Sequence, residues 1–189
     1  IIHGTTLATN ALIERRGAKT ALITTEGFRD VIEMRTESRF EQYDLNLNLP
    51  DPLLPRQMRF TVKGRVDANG DVLVDMDRAE VEAVVDRIAG TGVESIAVGL
   101  IHSYLNPTHE QLVRDVIAEK MPDAAVSISS EVSPQMREYE RFNTVVANAY
   151  IKPLMASYLG RLEDRLKDEG VSCRIFLMHS GGGIISIQN

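Results

Sequence analysis

The sequence has little of what marks a disulfide-rich, membrane-spanning or nucleic-acid-binding protein. Its 189 residues include a single cysteine, Cys173, so neither an internal disulfide nor a cysteine-based zinc cluster can form. Cys173 lies in the apolar run CRIFLM, which predicts a small buried thiol rather than a nucleophile. No apolar run approaches the roughly 18 residues that suggest a membrane span. The formal net charge of −6 is opposite in sign to a nucleic-acid-binding surface. We therefore predict a cytoplasmic protein whose partners include neither nucleic acid nor a membrane.

Runs typical of buried strands alternate with runs of helical period along most of the chain. This alternation predicts an α/β fold in which helices pack on a mixed sheet. The predicted strands are 19–25, 94–101, 125–129 and 173–178, with a hairpin at Asn69-Gly70 between the runs RFTVKGRV and DVLVD. The predicted helices are 5–16, one capped by Asp77, one after Asn106-Pro107, and one from Ser133-Pro134 to about residue 169, in which Pro153 predicts a break or a kink.

The pattern also suggests three segments. Residues 1–58 begin a lobe and include a proline-rich excursion without periodicity at 36–58. Residues 59–130 contain a complete set of strands and helices and could form an α/β subdomain. Residues 131–189 carry the long helix and return to the sheet.

Two glycine-containing turns follow predicted strands, at Gly4-Thr5-Thr6 and at Ser180-Gly181-Gly182-Gly183. Ligands of α/β sheets bind beyond the carboxyl ends of strands, and a glycine there lets the backbone approach a phosphate. Thr5 and Thr6 could donate hydroxyl groups to such a ligand, or one of them could cap its own helix. Neither turn matches the P-loop or the dinucleotide fingerprint.

Three other groups admit a chemical interpretation and a structural one. His102 and His109, with Glu110 nearby, could bind a metal, but no third ligand is placed and the structural interpretation is favoured. His3 and His179 each flank a glycine turn and could meet a phosphate oxygen. The run REYERF (137–142) predicts helix ion pairs, Arg137 with Glu140 and Glu138 with Arg141. The sequence assigns no catalytic residue and no metal ligand.

Four stretches, in order, resemble the hydantoinase A/5-oxoprolinase family, which also includes acetone carboxylase subunits. They are HGTTLATNALIERRGAKTALITTEGFRDVIEM (3–34), GVESIAVGLIHSYLNPTHE (92–110), SSEVSPQMREYERFNTVVANAYIKP (129–153) and FLMHSGGGIIS (176–186). The resemblance implies an actin-like, ribonuclease-H-like ATPase lobe, with an upstream Asp-x-Gly-Gly-Thr phosphate loop that this chain lacks. We therefore expect a fragment without the first strands of the lobe.

The resemblance further implies an ATP-dependent hydrolase of small cyclic amides, with Mg²⁺ bridging the phosphates and a second, hydantoinase B-type subunit or C-terminal domain as partner. It places Gly4, Thr5, Thr6, Ser180, Gly181, Gly182 and Gly183 at the nucleotide. Family members usually read Ser-Asn-Gly-Gly where this chain has Ser180-Gly181-Gly182-Gly183, so one side-chain donor is missing. The alternatives are a ketone carboxylase subunit and an actin-like module for nucleotide-gated assembly. We expect the 189 residues alone to hydrolyse no ATP, and Gly182→Val to abolish nucleotide binding at an almost unchanged melting temperature.

Overall fold

The computed structural model describes residues 1–36, 41, 43–171, 173–178 and 181–186, and its chain divides into two compact units. Unit 1 comprises Ile1–Ala18 and Ile151–Asn189, and unit 2 comprises Lys19–Tyr150. These boundaries fall after residues 18 and 150, whereas the sequence pattern suggested changes after residues 58 and 130.

The described residues form nine strands and six α-helices. The strands are β1 (Ile2–His3), β2 (Thr20–Thr25), β3 (Arg59–Val62), β4 (Arg65–Val66), β5 (Val72–Val74), β6 (Ser95–Gly99), β7 (Ala125–Ile128), β8 (Phe176–Met178) and β9 (Ile184–Ser186). The helices are α1 (Leu7–Ile13), α2 (Val31–Met34), α3 (Arg78–Ala89), α4 (Thr108–Lys120), α5 (Ser129–Val132) and α6 (Glu138–Asp168). A short 3-10 helix, Arg56–Met58, precedes β3. Among the described residues, no helix is both long and apolar enough to cross a membrane.

Unit 2 is built on a four-stranded parallel sheet with strand order β3-β2-β6-β7. The predicted strands at 19–25, 94–101 and 125–129 are confirmed as β2, β6 and β7. The chain passes from β2 to β3 on one side and then returns to the other side of β2 as β6. The predicted α/β architecture is therefore confirmed in this unit.

Helices α3 and α4 cover one face of this sheet. Helix α3 buries four apolar side chains there, which are Val81, Val84, Val85 and Ile88. Asp77 caps α3 as predicted, because its Oδ1 accepts a hydrogen bond of 2.9 Å from the backbone N–H of Ala79. Val113, Val116 and Ile117 of α4 complete this apolar layer.

The first half of α6 packs on the opposite face, where Phe142 lies directly over β6. Phe142 is fully buried with Leu22, Ala97 and Val145. It contacts the sheet at Gly99, where an added Cβ would lie 2.6 Å from the ring Cδ1. Gly99 therefore makes room for the aromatic ring.

The hairpin prediction is only partly correct. Asn69-Gly70 does turn the chain between β4 and β5, which pair antiparallel, and Asp67 Oδ1 accepts backbone hydrogen bonds from Asn69 and Asp71. The first half of RFTVKGRV, however, is β3 of the parallel sheet. Gly64 separates β3 from β4 with a φ of +135°, a conformation that L-residues rarely adopt.

The predicted start of the long helix is wrong. Helix α6 begins at Glu138, five residues after Ser133, because Arg137 has a φ of +79° that a right-handed helix does not accommodate. Of the two outcomes predicted for Pro153, a break does not occur, since α6 continues through it to Asp168. The loss of one backbone donor does not end a helix of 31 residues.

Unit 1 contains a three-stranded mixed sheet with strand order β1-β8-β9. Strand β8 pairs parallel with β1 and antiparallel with β9. The strand predicted at 173–178 forms only over its last three residues, Phe176–Met178. The prediction of a buried Cys173 is wrong, because this cysteine precedes the strand and is exposed.

Candidate functional site

Unit 1 contains a cleft of about 680 Å³ beside the ends of its two parallel strands. It is lined by His3, Gly4, Thr5, Thr6, Thr9, Tyr158, Met178 and Gly182. The structure thus brings the whole first predicted turn, Gly4-Thr5-Thr6, together with Gly182 of the second. Gly181 and Gly183 are exposed in the second turn but do not line the cleft, and Ser180 and His179 lie outside the described residues.

The pairing of β1 with β8 explains why turns from the two ends of the chain meet. The strands run parallel, with Ile2 opposite Phe176 and His3 opposite Leu177. Their carboxyl ends therefore lie at one edge of the sheet, where Gly4 follows β1 and the glycine turn follows β8. This is the edge at which α/β proteins bind ligands.

The two threonines of the first turn have different roles. The Thr5 hydroxyl oxygen accepts a hydrogen bond of 3.1 Å from the backbone N–H of Leu7, the first residue of α1, but Thr5 is not the N-cap residue of that helix. Thr6 is the N-cap residue of α1, but its side chain makes no capping bond. Helix α1 covers Leu7–Ile13 rather than the predicted 5–16, and Arg15 follows it with a φ of +54°.

The two cleft glycines are glycine for different reasons. Gly182 has a φ of +82°, which favours glycine in the turn itself. Gly4 has no such φ, and nothing lies within 4 Å of the place where its Cβ would be. Neither backbone conformation nor packing within the chain requires glycine at position 4, so the bare backbone there leaves room in the cleft.

The positive φ also corrects a prediction. Gly182→Val was expected to leave the melting temperature almost unchanged. A β-branched residue at a φ of +82° is strained, so this substitution perturbs the turn as well as any ligand contact. Gly4 is the position at which added bulk tests binding alone.

His3 and Tyr158 form a hydrogen-bonded pair in the wall of the cleft. His3 Nε2 lies 2.8 Å from the Tyr158 hydroxyl oxygen, and the ring centroids are 5.8 Å apart. Tyr158, Thr9 and Met178 line the cleft but were not indicated by the sequence pattern. For Tyr158 the hydroxyl group itself was the available signal, because a half-buried phenol usually finds a polar partner.

The cleft offers hydroxyl, imidazole and backbone groups, but its described lining contains no carboxylate. Mg²⁺ is usually held by one or two carboxylates together with substrate phosphates. Across the described parts of the chain, no group of three or more His, Cys, Asp or Glu side chains could hold a metal ion. These residues therefore do not by themselves form a magnesium site.

In unit 2, His109 and Glu110 follow the structural interpretation. His109 is buried at the start of α4, and burial lowers the pKa of its imidazole, while the charge of Asp75 opposes that shift. The neighbouring Glu110 is fully buried and accepts three hydrogen bonds, from the backbone N–H groups of Leu100 and Ser130 and from the Ser129 hydroxyl. Its side chain is engaged with the protein rather than directed at a metal.

Among the described residues, neither pair predicted for REYERF forms a salt bridge, although the charge of Glu138 opposes the lowering of the Arg141 pKa by burial. Arg137 precedes α6 in a left-handed conformation, so it does not share a helix face with Glu140. Arg141 is fully buried and donates to the Ser129 hydroxyl and to the carbonyl oxygens of Leu100 and Gln135. Through Ser129, which donates to Glu110 at 2.7 Å, the guanidinium and the carboxyl group belong to one buried network.

Sequence comparison matches nearly the whole chain to one family. The family model described as "Hydantoinase/oxoprolinase N-terminal region" matches residues 1–121, and the model described as "Hydantoinase/oxoprolinase" matches residues 141–189. The chain belongs to the hydantoinase/oxoprolinase family. The resemblance drawn from the four sequence stretches is thereby confirmed.

Two relatives of this chain are named as a caprolactamase subunit and as a 5-oxoprolinase. The chain is 34% identical to the caprolactamase subunit alpha of Pseudomonas jessenii, over 97% of this chain and 27% of that protein. It is 30% identical to the 5-oxoprolinase of Saccharomyces cerevisiae, over 96% of this chain and 16% of the enzyme. The chain therefore spans less than a third of these relatives.

Solved structures confirm the fold. The ATP-dependent caprolactamase from Pseudomonas jessenii superimposes with a TM-score of 0.90 at 34% identity, over 97% of this chain and 27% of that chain. A nucleotide-free acetone carboxylase superimposes with a TM-score of 0.87 at 26% identity, over all of this chain and 28% of that chain. The predicted α/β, actin-like (ribonuclease-H-like) class with a mixed sheet flanked by helices is confirmed.

Proposed function

We propose that this chain supplies part of the phosphate-binding cleft of an ATP-dependent enzyme that hydrolyses a small cyclic amide. The observation that carries the proposal is the meeting of Gly4-Thr5-Thr6 and Gly182, from the two ends of the chain, in one cleft of about 680 Å³. The ATP dependence of the caprolactamase whose structure this chain matches supports the choice of nucleotide.

The shape and chemistry of the cleft suit a phosphate chain. Gly4 presents backbone without a side chain, and the Thr6 hydroxyl makes no capping bond. Thr5 accepts a bond from Leu7 and still has its own O–H to donate. Hydroxyl and backbone N–H donors bind phosphate oxygens, and the described lining contains no carboxylate to repel them.

The reaction is one in which positioning matters most. A ring amide resists hydrolysis because resonance weakens its carbonyl carbon as an electrophile, and ATP supplies the phosphoryl group that removes this protection at the amide oxygen. Phosphoryl transfer of this kind depends on orientation and charge neutralisation more than on covalent chemistry by the protein. Gly4, Thr5, Thr6 and Gly182 contribute the orientation.

Mg²⁺ binding and ATP turnover both require parts of the enzyme outside these residues. With no carboxylate in the described lining, Mg²⁺ would be held mainly by the phosphates and by groups outside these residues. We accordingly expect the 189 residues alone to show no ATP turnover. Gly181 and Gly183, the neighbours of Gly182, are proposed to belong to the same phosphate site, and Ser180, which lies outside the described residues, stays a prediction from the sequence.

The partner and the substrate follow from the relatives. One relative is named as subunit alpha of caprolactamase and another as the gamma subunit of acetophenone carboxylase, so a second subunit of the hydantoinase B type, or an equivalent C-terminal domain, is the proposed partner. The proposed substrate class is the cyclic amide, and the proposed compartment is the cytoplasm, where ATP is abundant.

Carboxylation of a ketone is a second candidate. It is supported by the structural match to acetone carboxylase. The two activities differ in their products: ATP-dependent ring opening by the protein with its partner subunit supports the hydrolase, whereas ATP consumption that requires bicarbonate and a ketone supports the carboxylase.

The nucleotide site is tested by adding bulk at Gly4. Gly4→Val places a side chain in the cleft without a backbone penalty, and we expect it to weaken ATP binding at least about 10-fold, measured by isothermal titration calorimetry. Gly160→Val is the matched control, because Gly160 also has open space around its Cβ but does not line the cleft. Unchanged ATP affinity of folded Gly4→Val, or no ATP binding by the unmodified protein, contradicts the proposal.

A further inference from the structure

The His3–Tyr158 pair is the part of the cleft wall that the glycine turns do not explain. His3 ends β1, where its backbone is held against Leu177 of β8, and Tyr158 lies on α6. Both side chains are half-buried, and both line the cleft. The bond of 2.8 Å between them joins residues from distant parts of the chain at the point where a ligand would lie.

The chemistry of the pair allows two arrangements of hydrogens. If the tyrosine O–H donates to Nε2, the phenol oxygen can offer a ligand only its lone pairs. If the imidazole N–H at Nε2 donates to the phenol oxygen, the tyrosine O–H is free to donate to a ligand. An anionic ligand favours the second arrangement, because only that arrangement directs a polarised O–H at the negative charge.

We propose that the Tyr158 hydroxyl is a hydrogen-bond donor to the phosphate chain of the bound nucleotide, and that His3 positions it. The inference rests on the proposed function. It adds Tyr158 as a residue that contacts the ligand and His3 as a residue that acts through Tyr158. The composition of the cleft favours phosphate as the group contacted, since three threonines and two glycines line it and its described lining contains no carboxylate.

The alternative for two neighbouring rings is stacking against the adenine base. The two possibilities respond differently to loss of one oxygen atom. A stacking role needs the ring of Tyr158 and tolerates its conversion to phenylalanine, whereas a phosphate contact needs the hydroxyl.

The experiment is titration of the protein and its variants with three ligands: ATP, tripolyphosphate and adenosine. Tyr158→Phe keeps the ring and removes the hydroxyl, and we expect about 10-fold weaker binding of ATP and of tripolyphosphate, the loss typical of one hydrogen bond to a charged group. Adenosine binding should be unchanged. Tyr139→Phe, on the same helix and outside the cleft lining, is the matched control and should change none of the three.

The role of His3 is tested by substitutions that keep or remove its donor. His3→Gln retains an N–H donor and should keep most of the tripolyphosphate affinity, whereas His3→Phe retains a ring without a donor and should lose affinity to the extent that Tyr158→Phe does. In the Tyr158→Phe background, His3→Phe should add little, because His3 acts through the hydroxyl. A purely structural histidine would affect the melting temperature and not this pattern.

The outcomes separate this inference from the proposed function. If the unmodified protein binds neither ATP nor tripolyphosphate, the proposed function fails. If it binds both and Tyr158→Phe binds them equally well, or loses adenosine instead, only the assignment of the hydroxyl to the phosphate chain is overturned.

Discussion

Replacing Gly99 with alanine should destabilise unit 2, because the added methyl group would collide with the ring of Phe142. The new Cβ would lie 2.6, 3.0 and 3.2 Å from three ring carbons. Carbon atoms in contact prefer about 3.5–4.0 Å, so the ring has to move by roughly 1 Å. Phe142 is fully buried among Leu22, Ala97 and Val145, and a ring enclosed in this way cannot move without displacing its neighbours.

The magnitude follows from two opposing effects. Overpacking of a core costs about 1–3 kcal/mol, while replacing glycine with alanine returns about 0.4–1 kcal/mol through the unfolded chain. We expect a net loss of about 1–2 kcal/mol, which corresponds to a decrease in melting temperature of roughly 2–8 °C for a chain of this size.

Far-UV circular dichroism during thermal and urea unfolding measures the effect. Gly160→Ala is the control, because its Cβ meets open space on a helix and should raise stability by up to about 1 kcal/mol. Gly99→Ala combined with Phe142→Leu should be more stable than the sum of the two single changes predicts, since the smaller side chain relieves the collision. A Gly99→Ala protein as stable as the unmodified one would refute the packing argument.

Two further predictions concern the buried polar groups of unit 2. Glu110→Gln should lower the free energy of unfolding by about 3 kcal/mol in urea denaturation, because the glutamine NH2 group would replace a carboxylate oxygen that accepts a hydrogen bond, leaving the backbone N–H of Ser130 without an acceptor. Glu119→Gln on the surface should cost less than about 1 kcal/mol. His109 has a pKa lowered by burial, so the unfolded chain binds the extra proton more readily and stability falls as the pH drops below about 6.5. The unfolding midpoints at pH 5.5 and pH 7.5 should therefore differ more for the unmodified protein than for His109→Gln. An equal difference in the two proteins would contradict the assignment of this pH dependence to His109.

Local sequence signals predicted much of unit 2 correctly. The α3 helix combined an N-cap aspartate with apolar residues at one helical spacing, and the strands β2, β6 and β7 were short runs rich in apolar residues, so periodicity and capping agreed. An error occurred where one apolar run contained two secondary-structure elements. Nothing in the pattern of polar and apolar residues in RFTVKGRV marks the boundary between β3 and β4. That boundary lies at Gly64, whose positive φ the sequence pattern did not reveal.

The start of α6 and the role of Arg141 could not be obtained from local pattern. Ser133-Pro134 is a common way to begin a helix, yet Arg137 adopts a left-handed conformation that propensity does not favour. An arginine three residues after a glutamate fits a surface ion pair equally well. Its burial depends on Ser129 and Leu100, which lie on other elements and are brought near by the sheet.

For the candidate site, the sequence located the two turns but not the wall between them. Glycines after strands are a local signal, whereas the pairing of Tyr158 with His3 depends on how α6 packs in unit 1. The parallel pairing of β1 with β8 is likewise a contact between the two ends of the chain, which no window of local sequence contains.

The division of unit 1 between both ends of the chain has a consequence for synthesis. Residues 1–18 leave the ribosome before unit 2, and β8, the described partner of β1, emerges only after the whole of unit 2. At roughly 5–20 residues per second, the intervening stretch of about 130 residues takes on the order of 7–30 s to translate. Unit 2 is continuous and can fold within that interval, so we expect it to fold before β1 and β8 pair beside the cleft.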